Sequence, residues 1–167
     1  MQLTLQPLAT AAFAPYGLVI DARAALLAGS GRPINDGSSL RLDMPGALDL
    51  QREGGNAVVA VFHARALAVQ GPWRQLERHR LGSQTFIPLA GARCVVLVAL
   101  GENTPNPATL AAFAVHGQQA YTLHAGTWHH GLIARDAGDF VVIERGGPVA
   151  VDCDIAHLAD PVMVVAG

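Results

Sequence analysis

A chain of 167 residues with 51% hydrophobic and only 14% charged side chains is long enough for one well-buried domain and too apolar to stay disordered. Its formal charge of -2 is spread along the sequence, so no basic stripe exists for a polyanion to follow, which argues against nucleic acid as a partner. All 11 basic residues are arginines. Without lysine there is no lysine Schiff base and no Walker-type phosphate loop. No nucleotide cofactor is expected, and anions must be held by guanidinium forks.

In chain order, Leu3 to Pro7 alternates apolar and polar residues as a strand does. Thr10 is placed to cap a short helix through Phe13, which Pro15 and Gly17 stop. Tyr16 to Ile20 reads as extended, Ala22 to Gly31 is ambiguous, and Arg32 to Gly37 reads as a loop with Asn-Asp-Gly turn chemistry. Strands are predicted at Val58 to Arg65, Trp73 to Arg80, Gln84 to Leu89 and Cys94 to Leu100. The Ala-rich Pro107 to Ala114 is expected to make one or two helical turns. Strands resume at Ala120 to His124, His129 to Ala134, Phe140 to Glu144 and Val149 to Ile155. Many short strands with Gly and Pro at the joints predict a mainly β chain, folded over residues 1–167 as one closed barrel or sandwich with one or two short helices.

Cys94 lies in an apolar run and reads as a small buried hydrophobe, while Cys153 stands between Asp152 and Asp154, which raise rather than lower its pKa. Neither is expected to be a nucleophile. No apolar run approaches membrane-spanning length and the N-terminus does not read as a signal peptide, so a cytoplasmic protein without membrane partners is expected.

The chemistry concentrates in two segments. Leu76-Glu77-Arg78-His79, followed by Gln84 and Gly91, is answered some fifty residues later by His124-Ala125-Gly126-Thr127-Trp128-His129-His130. Side chains two apart on a strand share a face, so Glu77 and His79 point the same way. A second strand bringing His129 to that face makes a carboxylate and imidazole cluster, suited to metal binding or to proton transfer near neutral pH. His129 and His130 are adjacent, so only one of them faces inward. His63 is expected to be a half-buried core histidine, His116 and His157 surface residues, Arg145 structural, and Trp73 a core or rim aromatic.

The spacing Glu77-x-His79-x4-Gln84-x6-Gly91 resembles the first cupin motif, usually His-x-His, then Glu, then Gly. His124-Ala125-Gly126-x2-His129 resembles the second, usually Pro-x-Gly-x2-His, and this choice of spacing selects His129 over His130. Within the cupins, Leu76-Glu77-Arg78-His79, Gly82-Ser83-Gln84-Thr85-Phe86-Ile87-Pro88, Trp128-His129-His130, Glu144-Arg145-Gly146-Gly147, Ile34-Asn35-x-Gly37 and Phe13-x-x-Tyr16-Gly17 are similar to the ureidoglycolate lyase family, formerly called ureidoglycolate hydrolase. The resemblance implies a cupin-type (double-stranded β-helix, jelly-roll) barrel and a homodimer. It implies cleavage of (S)-ureidoglycolate to glyoxylate and urea in allantoin breakdown, with Glu77, His79, His124 and His129 as catalytic candidates. Glu77, His79, Gln84 and His129 are the candidate metal ligands. Asn35, Arg41, Arg65, Gln84 and Trp128 are the candidate substrate contacts, either arginine serving as a carboxylate clamp. Glu77 stands where a His is usual and Gln84 where a Glu is usual. A neutral amide is a weaker ligand than a carboxylate, so the implied divalent metal (nickel, manganese or zinc) is expected to be weakly held or absent. Two other readings fit the same residues: a metal-dependent oxygenase or isomerase using two His and one carboxylate, and a non-catalytic barrel that binds a small organic acid.

Overall fold

Period-two alternation makes the strands of this chain, and the two faces of those strands feed two separate cores. A computed structural model describes residues 1–44, 46, 48–148 and 152–167. The strands are β1 (Gln2–Pro7), β2 (Gly17–Ile20), β3 (Arg32–Ile34), β4 (Ser39–Arg41), β5 (Asn56–Ala64), β6 (Trp73–His79), β7 (Gln84–Pro88), β8 (Gly91–Ala99), β9 (Ala111–Gly117), β10 (Ala120–Leu123), β11 (Trp128–His129), β12 (Ile133–Ala134), β13 (Gly138–Gly146) and β14 (Cys153–Val165). Two short helices, α1 (Thr10–Phe13) and α2 (Ala22–Leu27), fall between the early strands.

The larger sheet runs β11-β6-β14-β1-β9-β8-β12, and β11 also pairs with β8, so its first six strands close into a ring. Inside the ring sit Leu76, Val95, Leu97, Ala112, Trp128, Ile133, Leu158 and Val162. The opposite face of β8, through Cys94, Val96 and Val98, packs with Phe113, Phe86, Tyr121, Phe140 and Val142. This second core lies between the ring and the five-stranded sheet β2-β10-β7-β13-β5. A mainly β, cupin-type barrel is therefore what these residues build.

Several local expectations need correction. The Ala-rich stretch makes only a 3₁₀ turn at Pro107–Thr109 and then becomes β9. Alanine favours helix, yet β9 pairs with both β1 and β8 while Ala112 and Phe113 fill the two cores, and that pairing outweighs propensity. The ambiguous stretch after Ile20 is helix α2, capped by Asp21, whose carboxylate accepts from the Ala24 amide at 3.0 Å. The expected loop at 32–37 is half of a hairpin, turned by Asn35, Asp36 and Gly37, all at positive φ. His129 to Ala134 splits into β11 and β12. Of the last expected strand, Val149 to Val151 lie outside the described residues, and β14 runs far past Ile155. A register shift between His157 and Val162 lets the strand absorb Pro161, which has no amide to donate to the ladder.

Candidate functional site

Glu77 and His79 leave β6 on one face. Strand β11 brings His129 directly opposite Glu77 on one edge and opposite Val98 on the other. Because Val98 belongs to the core between the sheets, the three polar side chains face that interior rather than the inside of the ring. One ligand atom from each of Glu77, His79 and His129 lies within 4.8 Å of the other two. Glu77 Oε1 is 3.6 Å from His129 Nε2, and the His79 and His129 rings are 5.7 Å apart.

His129 is only 2% exposed. Its Nδ1 lies 3.0 Å from the Thr127 carbonyl, which can only accept, so Nδ1 carries the proton and Nε2 keeps its lone pair. Burial pushes the pKa of His129 down to about 4, so the ring is neutral at physiological pH. Among the described residues, His129 Nε2 and Gln84 Oε1 are the buried side-chain atoms without a hydrogen-bond partner. A buried acceptor left bare in this way costs about 1–3 kcal/mol unless a donor or cation fills it. Two imidazoles and a carboxylate converging on one point, one of them desolvated with its tautomer fixed, is the donor set of a divalent metal site. Neighbouring ligands of one ion sit about 3.0–3.6 Å apart when each bond is near 2.1 Å, so the atoms of this cluster that lie farthest apart would have to draw together by roughly 1–2 Å.

A second buried polar group adjoins the first. A cavity of about 190 Å³ is lined by His79, Glu144, Arg145, Gly147, Asp152 and Cys153. Gln84 on β7 pairs with Glu144 on β13, and its Nε2 donates to Glu144 Oε2 at 2.7 Å. Glu144 was not among the sequence candidates, although it stands in the Glu144-Arg145-Gly146-Gly147 string. Its signal was strand register opposite Gln84, which a single sequence does not display. Arg145 is buried against Asp152 and donates to the carbonyls of Arg52 and Glu53. Burial and the nearby carboxylates Glu77, Asp152 and Asp154 raise the Cys153 thiol, while burial holds Cys94 up at about 12.

The remaining candidates are not brought to this cluster. Trp128 points into the ring core, away from His129, as adjacent strand residues must; its Nε1 donates to the Gly101 carbonyl and Arg78 stacks 4.6 Å from its ring. His124 is exposed on the turn before β11, although the next turn residue but one, Gly126, donates its amide to the His79 carbonyl at 2.7 Å. Asn35 and Arg41 stand exposed on the β3–β4 hairpin, where Arg41 Nε pairs with Asp43 at 2.7 Å. Arg65 follows Ala64, which pairs with Gly138, whereas Val58 pairs with Glu144. That puts Arg65 at the far end of the sheet, roughly 20 Å from Glu144 at 3.3 Å per residue. His63 is exposed and paired with Asp139 at 2.6 Å, not half-buried in the core. His130 stacks on Trp73 at the rim.

The ureidoglycolate lyase family model matches residues 1–165. Proteins named ureidoglycolate lyase are similar throughout: one from Pseudomonas aeruginosa (strain LESB58) is 38% identical over 87% of this chain and 84% of its own length. One from Azotobacter vinelandii is 38% identical over 91% of this chain and 89% of its own, and one from Pseudomonas putida 34% over 98% and 95%.

Proposed function

Because this chain belongs to the ureidoglycolate lyase family, we propose that it cleaves ureidoglycolate to glyoxylate and urea at the Glu77, His79 and His129 cluster. The observation that carries the reading is the meeting of a carboxylate with the bare, buried Nε2 of His129 at 3.6 Å. The substrate is a carbinolamide, with hydroxyl, ureido nitrogen and carboxylate on one carbon. Breaking its C–N bond moves one proton from the hydroxyl oxygen to the departing nitrogen, since urea leaves poorly as an anion. The hydroxyl oxygen becomes the aldehyde oxygen of glyoxylate, and the C–N electron pair goes to urea. Glu77 takes that proton and returns it. Its carboxylate has two oxygens, so one can face a ligand while the other carries the proton. His129, neutral with its Nδ1 proton tied to Thr127, serves as a lone-pair donor and not as an acid. Glu77, His79 and His129 would hold a divalent ion of the nickel, manganese or zinc type. Such an ion supplies Lewis-acid polarisation of the hydroxyl and carboxylate oxygens. No oxygenase or isomerase chemistry is indicated by the names of these relatives.

A homodimer is part of the same proposal. Strand β5 is the edge of its sheet, nine residues long, with Val59 69% and Val61 64% exposed, a surface that invites a second copy. The arm of α2, β3 and β4 buries no residue against its own chain. Two free cysteines and the absence, among the described residues, of any helix long and apolar enough to cross a membrane are compatible with a cytoplasmic setting.

The test is a coupled glyoxylate assay on protein stripped of metal and then supplied with nickel, manganese or zinc. Urea and glyoxylate should form in equal amounts above the spontaneous rate. Full activity in both Glu77→Gln and His129→Ala would remove the chemistry from this cluster.

A further inference from the structure

Beside His79 the cavity wall carries Glu144, whose carboxylate holds Gln84, while the guanidinium of Arg145 on the same wall is engaged by Asp152 and two backbone carbonyls. Gln84, bonded to Glu144 just behind that wall, is only 6% exposed, and its carbonyl oxygen is unpartnered. An amide has two ends, and which end faces a ligand is decided by what holds the other. Here an ionised carboxylate, which only accepts, holds the amide nitrogen of Gln84 at 2.7 Å. The amide is thereby locked with its carbonyl as the end left without a protein partner. No protein donor meets that oxygen among the described residues, so its partner must arrive from outside.

We infer that Glu144 and Gln84 form the subsite for the ureido end of the substrate, Gln84 Oε1 and the free oxygen of Glu144 accepting the N–H donors of the urea fragment. The inference rests on the lyase reading above and assigns the specificity of that same site. Urea offers four N–H donors, and the carboxylate end of the substrate offers none, so the acceptors of Glu144 and Gln84 distinguish the two ends. Glu144 is charged and would repel the carboxylate end as well. Its role is to select and orient, while the proton moves at Glu77. Orientation matters because the scissile C–N bond must be presented to that carboxylate with its hydroxyl on the correct side.

The experiment is product inhibition with two probes, urea and glyoxylate, on wild type, Glu144→Gln and Gln84→Leu. Replacing Glu144 by its amide removes the charged acceptor and the reason for Gln84 to keep its orientation. The expected result is a rise of at least about tenfold in KM for ureidoglycolate and in the inhibition constant of urea, with the glyoxylate constant unchanged. The loss should fall on KM more than on kcat. Gln84→Leu should show the same urea-selective loss and provides the reading if Glu144→Gln folds poorly. Equal weakening of both products, or of neither, overturns the inference. So does loss of bound metal from Gln84→Leu protein, which would assign the carbonyl to the ion. Wild-type protein that releases no urea from ureidoglycolate removes the lyase reading itself, whereas active wild type with unmoved variants removes only the subsite.

Discussion

Two sets of buried polar groups in this protein have been settled in opposite ways. Arg145 and Asp152 have side chains 4% and 7% exposed. The guanidinium reaches Asp152 at 3.4 Å and two backbone carbonyls, while Asp152 also accepts from the Leu81 amide at 2.7 Å. Glycines 55, 82 and 147 wrap this arginine so closely that a Cβ at any of them would collide with its side chain. His129 Nε2 and Gln84 Oε1, by contrast, have no hydrogen-bond partner among the described residues. Charges buried for architecture are paired and sheathed, whereas the neutral polar atoms kept for chemistry are desolvated and left waiting. The pair closes the wall, and the cluster uses it.

That contrast can be broken by mutation. Glu77→Gln should cut turnover by about a thousandfold or more with the melting temperature scarcely moved, measured by the glyoxylate assay and calorimetry on the same sample. Arg145→Met should do the reverse. Asp152 would be stranded as a buried charge, and the loss is expected at about 3–5 kcal/mol in denaturant unfolding, with activity per folded molecule largely kept. If Arg145→Met instead abolished turnover without destabilising the fold, the division would be wrong. Acid sharpens the comparison from the other side. The unfolded chain protonates His129 near pH 6.5, but the folded protein holds it neutral down to about 4. Stability from this group is therefore complete above pH 6.5 and drains away as pH falls to 4, by on the order of 3 kcal/mol. A His129→Gln variant should lose that slope. The smallest effect belongs to Gly147→Ala, where the new methyl meets Arg145 Nη1 and should cost about 1–3 kcal/mol with no change in KM.

Much of the site was legible because strands print their geometry into sequence. Glu77-x-His79 declares a shared face, alternation lets only one of His129 and His130 turn inward and the motif spacing selects His129, and the burial of Trp128 away from the cluster follows once β11 is placed. That last consequence was missed because adjacency to His129 suggested a pocket wall. The family resemblance also favoured Arg65, yet strand direction carries it to the opposite end of the sheet. What a single chain cannot display is register across distant strands. Gln84 and Glu144 are neighbours only because β7 and β13 pair antiparallel. The same blindness turned the Ala-rich 107–114 into a helix: its pairing with β1 and β8 is written in other parts of the chain.

The two-residue strand β11 is hydrogen-bonded on both flanks, to β6 and to β8, and the His130 amide donates to the Leu97 carbonyl at 3.0 Å just beyond it. It is the clasp of a belt, and one of its two links is His129. Slackening the imidazole by local fraying would require unbuckling the whole circumference. Heat inactivation and loss of tertiary signal should therefore superimpose, and a sluggish, half-melted enzyme is not a state this architecture offers.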